Sequence, residues 1–236
     1  MFETLLVRDR AVQALDAHVQ RMQRSAQRLY GRQPPPGLPA LIRAQAQRLD
    51  AGEHRLRVDA RPTAGALRFE IETSPLAPRP ALWRLQPLPL RGGYGPDKLV
   101  DRGPLTSSAA NAPVALLVDG ERPDADVLEA AWANVWLLDG DRLITPPCDG
   151  RILPGVTRAR LIALAPSLGL TVRERPIAVS RLRPSSPPAA TQGVMLTSSL
   201  QLAAPAVLED APDPSPDTVA AIGRIRAALL DRDWDR

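Results

Sequence analysis

Residues 127–165 read VLEAAWANVWLLDGDRLITPPCDGRILPGVTRARLIALA, and they decide how the rest of the chain is interpreted. The first part of this stretch is made of short apolar runs, which are typical of β-strands. Asp139 and Gly140 lie where a tight turn would join NVWLL to RLITP. This part therefore predicts a hairpin.

The end of the same stretch predicts a helix that begins after a Pro-Gly turn. In RILPGVTRARLIALAPSLGL, Thr157 occupies the natural N-cap position and Gly169 the stop position. A glycine-containing turn that opens a helix leaves backbone N–H groups pointing outward, with a favourable dipole, and this geometry binds phosphate. Simple capping of the helix by Thr157 is the alternative, and the spacing alone leaves both open.

The sequence before residue 73 predicts a small α/β unit. FETLLVRD and AVQALD indicate two short strands around a polar turn. DAHVQRMQRSAQRLYG indicates a helix that Asp16 caps and Gly31 ends, and PPPGLPALIRAQAQRLDAG indicates a second helix. HRLRVDARPTAGALRFEIE alternates around TAG and predicts a second hairpin.

The remaining segments predict a boundary, strands and a final helix. PLAPRPALWRLQPLPLRGGYG is interrupted by proline and glycine, so a domain boundary is expected around residues 86–96. APVALLVDGE indicates a strand, SRLRPSSPPAATQG a loop, and VMLTSSLQLAAPAVL a short strand and turn. The last helix is expected to be capped by Asp217 and to face inward with Val219, Ile222, Ile225 and Leu229.

Composition argues against several kinds of site. The chain has 30 Lys plus Arg and 26 Asp plus Glu, and its arginines alternate with carboxylates instead of forming the basic cluster that nucleic acids need. Cys148 is the only cysteine, and His18 and His54 are the only histidines, so we expect no disulfide and no metal site. No apolar run is long enough to span a bilayer, and MFETLLVRDR lacks a secretory core, so we expect a cytoplasmic protein that binds no membrane.

Lys98 is the only lysine in the chain, and the other 29 basic residues are arginine. Arginine cannot replace lysine in forming a Schiff base with a carbonyl group. Lys98 is therefore a candidate for covalent chemistry. One lysine left behind by an arginine-rich coding bias is the alternative.

Several segments resemble, in this order, the class IV aminotransferase family: FETLLV, LDAHVQRMQRSAQRLYG, GPDKLVDR, residues 127–165 and VMLTSSL. The resemblance covers nearly the whole chain. It implies an α/β (α+β) protein of pyridoxal-phosphate fold type IV, with a small N-terminal α/β domain at residues 1–87, a linker at 88–96 and a larger pseudo-barrel domain at 97–236. Family members usually carry an opening strand before FET, so either the small-domain sheet is expected to lack that strand or the true start is expected to lie upstream.

The resemblance also implies roles for individual residues. Lys98 matches the lysine that holds pyridoxal phosphate through a Schiff base, and Glu129 matches the carboxylate that pairs with the pyridine nitrogen. Arg21 matches the phosphate-binding arginine, whose planar fork suits phosphate. Val156 and Thr157 match the helix start that takes the phosphate. Ser198 matches a further small polar phosphate ligand, although Thr197 or Ser199 could take its place.

Within the family, DKLVDR and LTSSL are most similar to the aminodeoxychorismate lyase branch. The resemblance thus implies a homodimeric lyase that converts 4-amino-4-deoxychorismate to 4-aminobenzoate and pyruvate, in folate precursor synthesis. Gly103 stands where branched-chain aminotransferases carry a tyrosine, which disfavours that branch.

The lyase substrate is a small anion with two carboxylates. Arginines of the small domain or of the linker are therefore candidates to bind it: Arg57, Arg61, Arg91 and Arg102. Two alternatives stay open. One is a transaminase that acts on a D-amino acid or another small amine, and the other is a trimmed, non-catalytic relative.

Overall fold

A computed structural model of the chain describes residues 1–101, 105, 112–183 and 191–231, with only the backbone of residue 231. The chain divides into two compact units. The first unit contains Met1–Pro78 and Asp97–Asp101, and the second contains Arg79–Pro96 and the described residues of Arg102–Arg232. Lys98 thus belongs to the first unit. The domain boundaries implied by the family resemblance stay a prediction.

The first unit is a four-stranded antiparallel sheet with two helices. Its elements are β1 (Phe2–Arg8), β2 (Ala11–Val12), α1 (Leu15–Tyr30), α2 (Leu38–Gln47), β3 (Glu53–Pro62) and β4 (Leu67–Pro75). The strand order is β2-β1-β3-β4. Because side chains alternate along a strand, every second residue of β1 and β3 faces the helices. Leu5, Val7, Leu56 and Val58 pack there against apolar residues of α1 and α2.

The second unit is built on an eight-stranded sheet. Its strands are β5 (Trp83–Pro89), β6 (Val114–Val118), β7 (Val127–Ala130), β8 (Ala133–Asp139), β9 (Arg142–Thr145), β10 (Thr171–Glu174), β11 (Gln192–Ser198) and β12 (Leu202–Leu208). The order is β10-β9-β8-β11-β12-β5-β6-β7, and β7 also pairs with β8. This extra pairing closes six of the strands into a barrel. A core of buried residues from its strands includes Leu85, Leu116, Val135, Leu137 and Leu196.

Among the described residues of the second unit there are two α-helices: α3 (Val156–Leu164), which a short 3-10 turn extends to Leu168, and α4 (Pro216–Asp231). Ile222, Ile225 and Leu229 of α4 are buried as predicted, but Val219 is 42% exposed. In the described part of the chain, no helix is both long and apolar enough to cross a membrane. The same residues include no group of three or more His, Cys, Asp or Glu that could hold a metal ion.

Most strand predictions are confirmed. β1 and β2 form the first predicted strand pair, and β3 and β4 form the second hairpin. The turn after Asp139 joins β8 to β9, and Gly140 adopts a left-handed φ of 63° there. The segment VMLTSSLQLAAPAVL is more regular than expected, since it forms the hairpin β11–β12. In the predicted loop SRLRPSSPPAATQG, Val179–Leu182 form a 3-10 turn, and residues 184–190 lie outside the described residues.

Helix ends agree with the sequence at the C-terminus and differ at the N-terminus. Gly31 ends α1 with φ 64°, and Gly169 ends the turn after α3 with φ 70°. The three predicted caps are wrong because each lies inside its helix. Ala14 precedes α1 where Asp16 was expected, and Gly155 precedes α3 where Thr157 was expected. Ser215 precedes α4, and its Oγ accepts a hydrogen bond from the Thr218 N–H at 3.2 Å.

We predict that Ser215→Ala lowers the free energy of unfolding by about 1 kcal/mol, because it removes the hydroxyl that caps α4. Asp217→Ala is the matched control, and it should cost only about 0.3–1 kcal/mol through the helix dipole. Urea denaturation followed by circular dichroism measures both. A larger loss for Asp217→Ala than for Ser215→Ala would restore Asp217 as the cap.

Candidate active site

Lys98 is tied to the first strand of the first unit. Its carbonyl oxygen accepts a hydrogen bond from the Phe2 N–H at 2.9 Å. Its Nζ lies 4.7 Å from the centre of the Phe2 ring, within the range of a cation–π contact. The side chain is half-buried. The only lysine of the chain is thus packed on an aromatic ring instead of extending freely into water.

The neighbouring Asp97 anchors this segment to α1. Its carboxylate receives both arms of the Arg28 guanidinium, Nε at 3.0 Å and Nη2 at 2.6 Å. Burial disfavours the charged form of Asp97, but the hydrogen bonds and the charge of Arg28 outweigh burial and hold its pKa below the ordinary value. An ionised Asp97 therefore fixes the backbone beside Lys98.

Arg21 lies in a buried charge cluster that sequence reasoning missed. On the helix face of β1, the Glu3 carboxylate binds Arg21 through Nε at 2.8 Å and Nη2 at 2.7 Å. The same carboxylate contacts His18 Nδ1 at 2.8 Å. All three side chains are almost fully buried. A visible sign in the sequence was that His18 and Arg21 are three residues apart on one helix face.

The cluster has defined protonation states. Burial alone would raise the pKa of Glu3, but Arg21 and His18 hold that pKa far below its ordinary value. Glu3 is therefore ionised, and the His18 Nδ1 carries the hydrogen between them. Burial, together with the charges of Arg21 and Lys98, lowers the pKa of His18 despite Glu3. Near neutral pH the histidine is therefore uncharged.

In the second unit, Glu129 and Asn134 hold the loop that leads into α3. Glu129 is 4% exposed on β7, and its Oε2 accepts a hydrogen bond from the Leu153 N–H at 3.1 Å. Asn134 pairs with Glu129 across the β7–β8 ladder and donates from Nδ2 to the Leu153 carbonyl at 2.9 Å. Both backbone polar groups of Leu153 are thus bound by side chains from adjacent strands. Asn134 is a further site residue that the sequence did not reveal.

The start of α3 has the features of an anion site. Gly155 is the N-cap in extended conformation and lacks a side chain to satisfy the first N–H groups. A Cβ at Gly155 would overlap Asn134 Oδ1, so a larger residue would displace the Asn134 side chain. Thr157 is 2% exposed, and its Oγ1 has no hydrogen-bond partner among the described residues. An unsatisfied buried hydroxyl at a helix N-terminus fits a bound phosphate.

The surroundings of the other predicted ligands indicate a binding site less clearly. Ser198 Oγ accepts a hydrogen bond from the Gln201 N–H at 3.3 Å, in the turn between β11 and β12. The Thr197 hydroxyl is already engaged, because it accepts a hydrogen bond from Trp136 Nε1 at 2.8 Å. Arg91 is exposed in the second unit. Arg102 and Gly103 lie outside the described residues.

The structure thus groups the predicted residues in two sets. Lys98 and Arg21 both belong to the first unit. In the second unit, Glu129 binds the backbone of Leu153, which lies shortly before the helix start at Val156 and Thr157. Within the described residues, the assigned roles of all these side chains remain predictions.

Comparison with known proteins identifies similar sequences. The family model for amino-transferase class IV matches residues 1–208. Branched-chain-amino-acid aminotransferase 1 of Arabidopsis thaliana, a mitochondrial protein, is 34% identical over 97 residues, which are 39% of this chain and 25% of that protein. A probable branched-chain-amino-acid aminotransferase of Thermotoga maritima is 42% identical over 59 residues, 25% of this chain and 22% of that protein. The chain therefore matches only a quarter or less of these relatives' length.

Solved structures are similar over nearly the whole chain. A hypothetical aminotransferase from Mycobacterium tuberculosis, in an alpha-ketoglutarate and PMP bound form, has a TM-score of 0.76 and 25% identity, covering 100% of this chain and 89% of its own. The 4-amino-4-deoxychorismate lyase from Pseudomonas aeruginosa has a TM-score of 0.74 and 22% identity, covering 99% and 91%. At that identity the lyase shows a shared fold only.

We predict that Glu3→Gln lowers the free energy of unfolding by about 3–5 kcal/mol at pH 7, because it leaves the charge of Arg21 buried without its carboxylate. Glu70→Gln, which changes an exposed carboxylate on β4, is the control and should stay within about 0.5 kcal/mol of the unchanged protein. Urea denaturation measures both variants.

The effect of Glu3→Gln should also depend on pH. Because the pKa of Glu3 is lowered on folding, its stabilising contribution is complete above the unfolded pKa of about 4.3 and is lost as pH falls through the folded pKa. The difference between Glu3→Gln and the unchanged protein should therefore shrink below about pH 4. A constant difference down to pH 3 would contradict an ionised Glu3.

Proposed function

Because the chain belongs to the class IV aminotransferase family, we propose that it is a pyridoxal-phosphate-dependent enzyme, and specifically a lyase that forms 4-aminobenzoate and pyruvate from 4-amino-4-deoxychorismate. The family supports the cofactor, since relatives of the same fold are PLP-bound structures. The choice of the lyase rests on the segments DKLVDR and LTSSL.

The observation that carries the proposal is the environment of Lys98. The only lysine of an arginine-rich chain is half-buried, held by β1 through the backbone of Phe2 and packed on the Phe2 ring. A lysine on the solvated surface would have no such restraints. Lys98 is therefore suited to be the amine that binds the cofactor aldehyde covalently.

The other residues would hold the remaining parts of the cofactor. Glu129 would pair with the ring nitrogen and keep a proton on it, since its own position is fixed by Leu153. The N–H groups of Val156 and Thr157 and the unsatisfied Thr157 hydroxyl would bind the phosphate. Arg21 and Ser198 would add to the phosphate site.

Once bound, the cofactor supplies an electron-withdrawing ring that accepts the electron pair of a breaking C–H bond. Lys98 would do the proton work after the substrate amine has displaced it. Its Nζ would take the proton from the amine-bearing carbon and later supply a proton as the enolpyruvyl group leaves. Aromatisation of the product drives this elimination, so no second amino acceptor is needed.

A transaminase is the second candidate, and the comparisons favour it as much as the lyase. The curated relatives named above are branched-chain aminotransferases, and the similar Mycobacterium structure contains alpha-ketoglutarate and PMP. A transaminase of this fold would act on a D-amino acid or another small amine. The two functions differ in whether a keto acid must be added. A trimmed relative without cofactor is the third candidate.

We expect the purified protein to develop the yellow absorbance band of a Schiff base with pyridoxal phosphate, and Lys98→Ala to abolish it together with activity. Borohydride reduction followed by mass mapping should place the adduct on Lys98. The lyase predicts 4-aminobenzoate and pyruvate without an added keto acid, whereas the transaminase predicts amino transfer to pyruvate or 2-oxoglutarate. Normal turnover by Lys98→Ala would exclude both mechanisms, and a missing band in the unchanged protein would favour the non-catalytic relative.

We predict that Thr157→Val has opposite effects on stability and on cofactor binding. Without cofactor the variant should be as stable as the unchanged protein or more so, because an unsatisfied buried hydroxyl is removed. Its affinity for pyridoxal phosphate should fall about tenfold or more, since one hydrogen bond to a charged group is lost. Equilibrium titration and thermal denaturation measure the two effects.

Thr145→Val is the matched control for this experiment. The Thr145 hydroxyl is buried but donates to the Val135 carbonyl at 2.9 Å. Its removal should destabilise the protein by about 1–3 kcal/mol and leave the affinity for pyridoxal phosphate unchanged. If Thr157→Val destabilised the protein as Thr145→Val does and bound the cofactor normally, the hydroxyl of Thr157 would not be a ligand.

A further inference from the structure

The face of the first sheet opposite the helices is polar near Lys98. Phe2 and Thr4 of β1 and Arg57 and Asp59 of β3 share this face, because Phe2 pairs with Asp59 and Thr4 with Arg57. Glu72 of β4 pairs with Arg57 and extends the same face. This face of the sheet therefore carries charged groups, whereas the opposite face packs against the apolar core.

Phe2 brings two cations close together on this face. The guanidinium carbon of Arg57 lies 3.9 Å from the centre of the Phe2 ring, and Lys98 Nζ lies 4.7 Å from the same point. The two cationic groups are therefore at most about 9 Å apart. This upper limit is within the reach of a small molecule that carries both an amine and a carboxylate.

Arg57 is held in position but keeps donors available. Asp59 binds it through Nε at 2.6 Å and Nη2 at 2.9 Å, which occupies one edge of the guanidinium. Among the described residues, no other group accepts a hydrogen bond from Arg57, so both Nη1 hydrogens and one on Nη2 remain. The side chain is 22% exposed, so water can be displaced from these donors by a ligand. The two hydrogen bonds to Asp59 and the contact with the aromatic ring fix the direction of these donors.

We propose that Arg57, positioned by Asp59 and Phe2, binds a carboxylate of the substrate whose amine reacts at Lys98. The inference rests on the proposed function and narrows it to amines that also carry a carboxylate. It applies to the transaminase, since an amino acid has the carboxylate on the amine-bearing carbon, and to the lyase, since aminodeoxychorismate has carboxylates on its ring and on its enolpyruvyl group. A planar guanidinium is suited to the task because it binds a carboxylate in a fixed orientation.

Arg57 is distinguished from the other arginines of this unit by its contacts. Arg55 lies two residues away on the same face of β3 but makes no described contact with Phe2. Arg61 is exposed at the far end of β3. Among these arginines, only Arg57 contacts the same aromatic ring as Lys98 and also has a buried carboxylate partner.

Two alkoxyamines test the proposal without knowledge of the natural substrate. Aminooxyacetate carries a carboxylate and methoxyamine does not, but both attack the Schiff base through the same nitrogen. In each case a carbon–nitrogen bond to the alkoxyamine replaces the one to Lys98, whose amine is released, and no oxidant is needed. The loss of the yellow band gives a rate constant for each reagent with the cofactor-loaded protein.

We expect Arg57→Gln to lower the rate constant for aminooxyacetate by about ten- to a hundredfold, through the loss of a hydrogen-bonded charge, and to change that for methoxyamine less than about twofold. Arg55→Gln, the matched control, should leave both rate constants unchanged. Because Arg57→Gln leaves Asp59 without its partner, the double variant Arg57→Gln/Asp59→Asn provides a second measurement. This double variant removes both charges and should lose the same preference for aminooxyacetate over methoxyamine.

The outcomes separate this inference from the proposed function. A normal yellow band with an unchanged ratio of the two rate constants in both variants would overturn only the role of Arg57. An equal loss for both reagents would do the same, because it would indicate general damage to the site. If the unchanged protein formed no band with pyridoxal phosphate, the proposed function would fail and this inference with it.

Discussion

The alternation of side chains along β1 is the constraint on which the first unit depends. Successive residues of a strand point to opposite faces, so neighbours in the sequence serve different environments. Glu3 enters the helix side, where its charge is compensated by Arg21 and hydrogen-bonded by His18. Phe2 faces the other side, where Arg57 and Lys98 lie on its ring. A shift of β1 by one residue would disrupt the ion-pair cluster and the aromatic platform together.

In the second unit, a comparable role belongs to the β7–β8 pairing. This pairing closes the barrel and sets Glu129 opposite Asn134. Both side chains then hold Leu153, two residues before the N-cap of α3. The position of the helix start is therefore determined by the barrel wall. The glycine at the N-cap leaves room for the neighbouring amide of Asn134, and the missing cap leaves the helix open to an anion.

Sequence patterns were sufficient for the elements and for the family, but not for the contacts within the site. The hairpin of β3 and β4 followed from alternation, and the ends at Gly31 and Gly169 from the left-handed conformation that glycine tolerates. The cap preference failed at Thr157 because α3 begins at Val156, with Gly155 as its N-cap. Glu3 was missed because its partners lie 15 and 18 residues away. Barrel closure depends on pairing between distant strands, which no local pattern encodes.

The single lysine has a practical consequence for handling the protein. Apart from the terminal amine, Lys98 offers the only primary amine in the chain. Reagents that couple to lysine, including biotinylating esters and the activated surfaces of biosensor chips, would therefore attach at the candidate catalytic position itself. The same property makes acylation a footprint of that position, since a molecule that covers it would protect the whole chain from side-chain labelling.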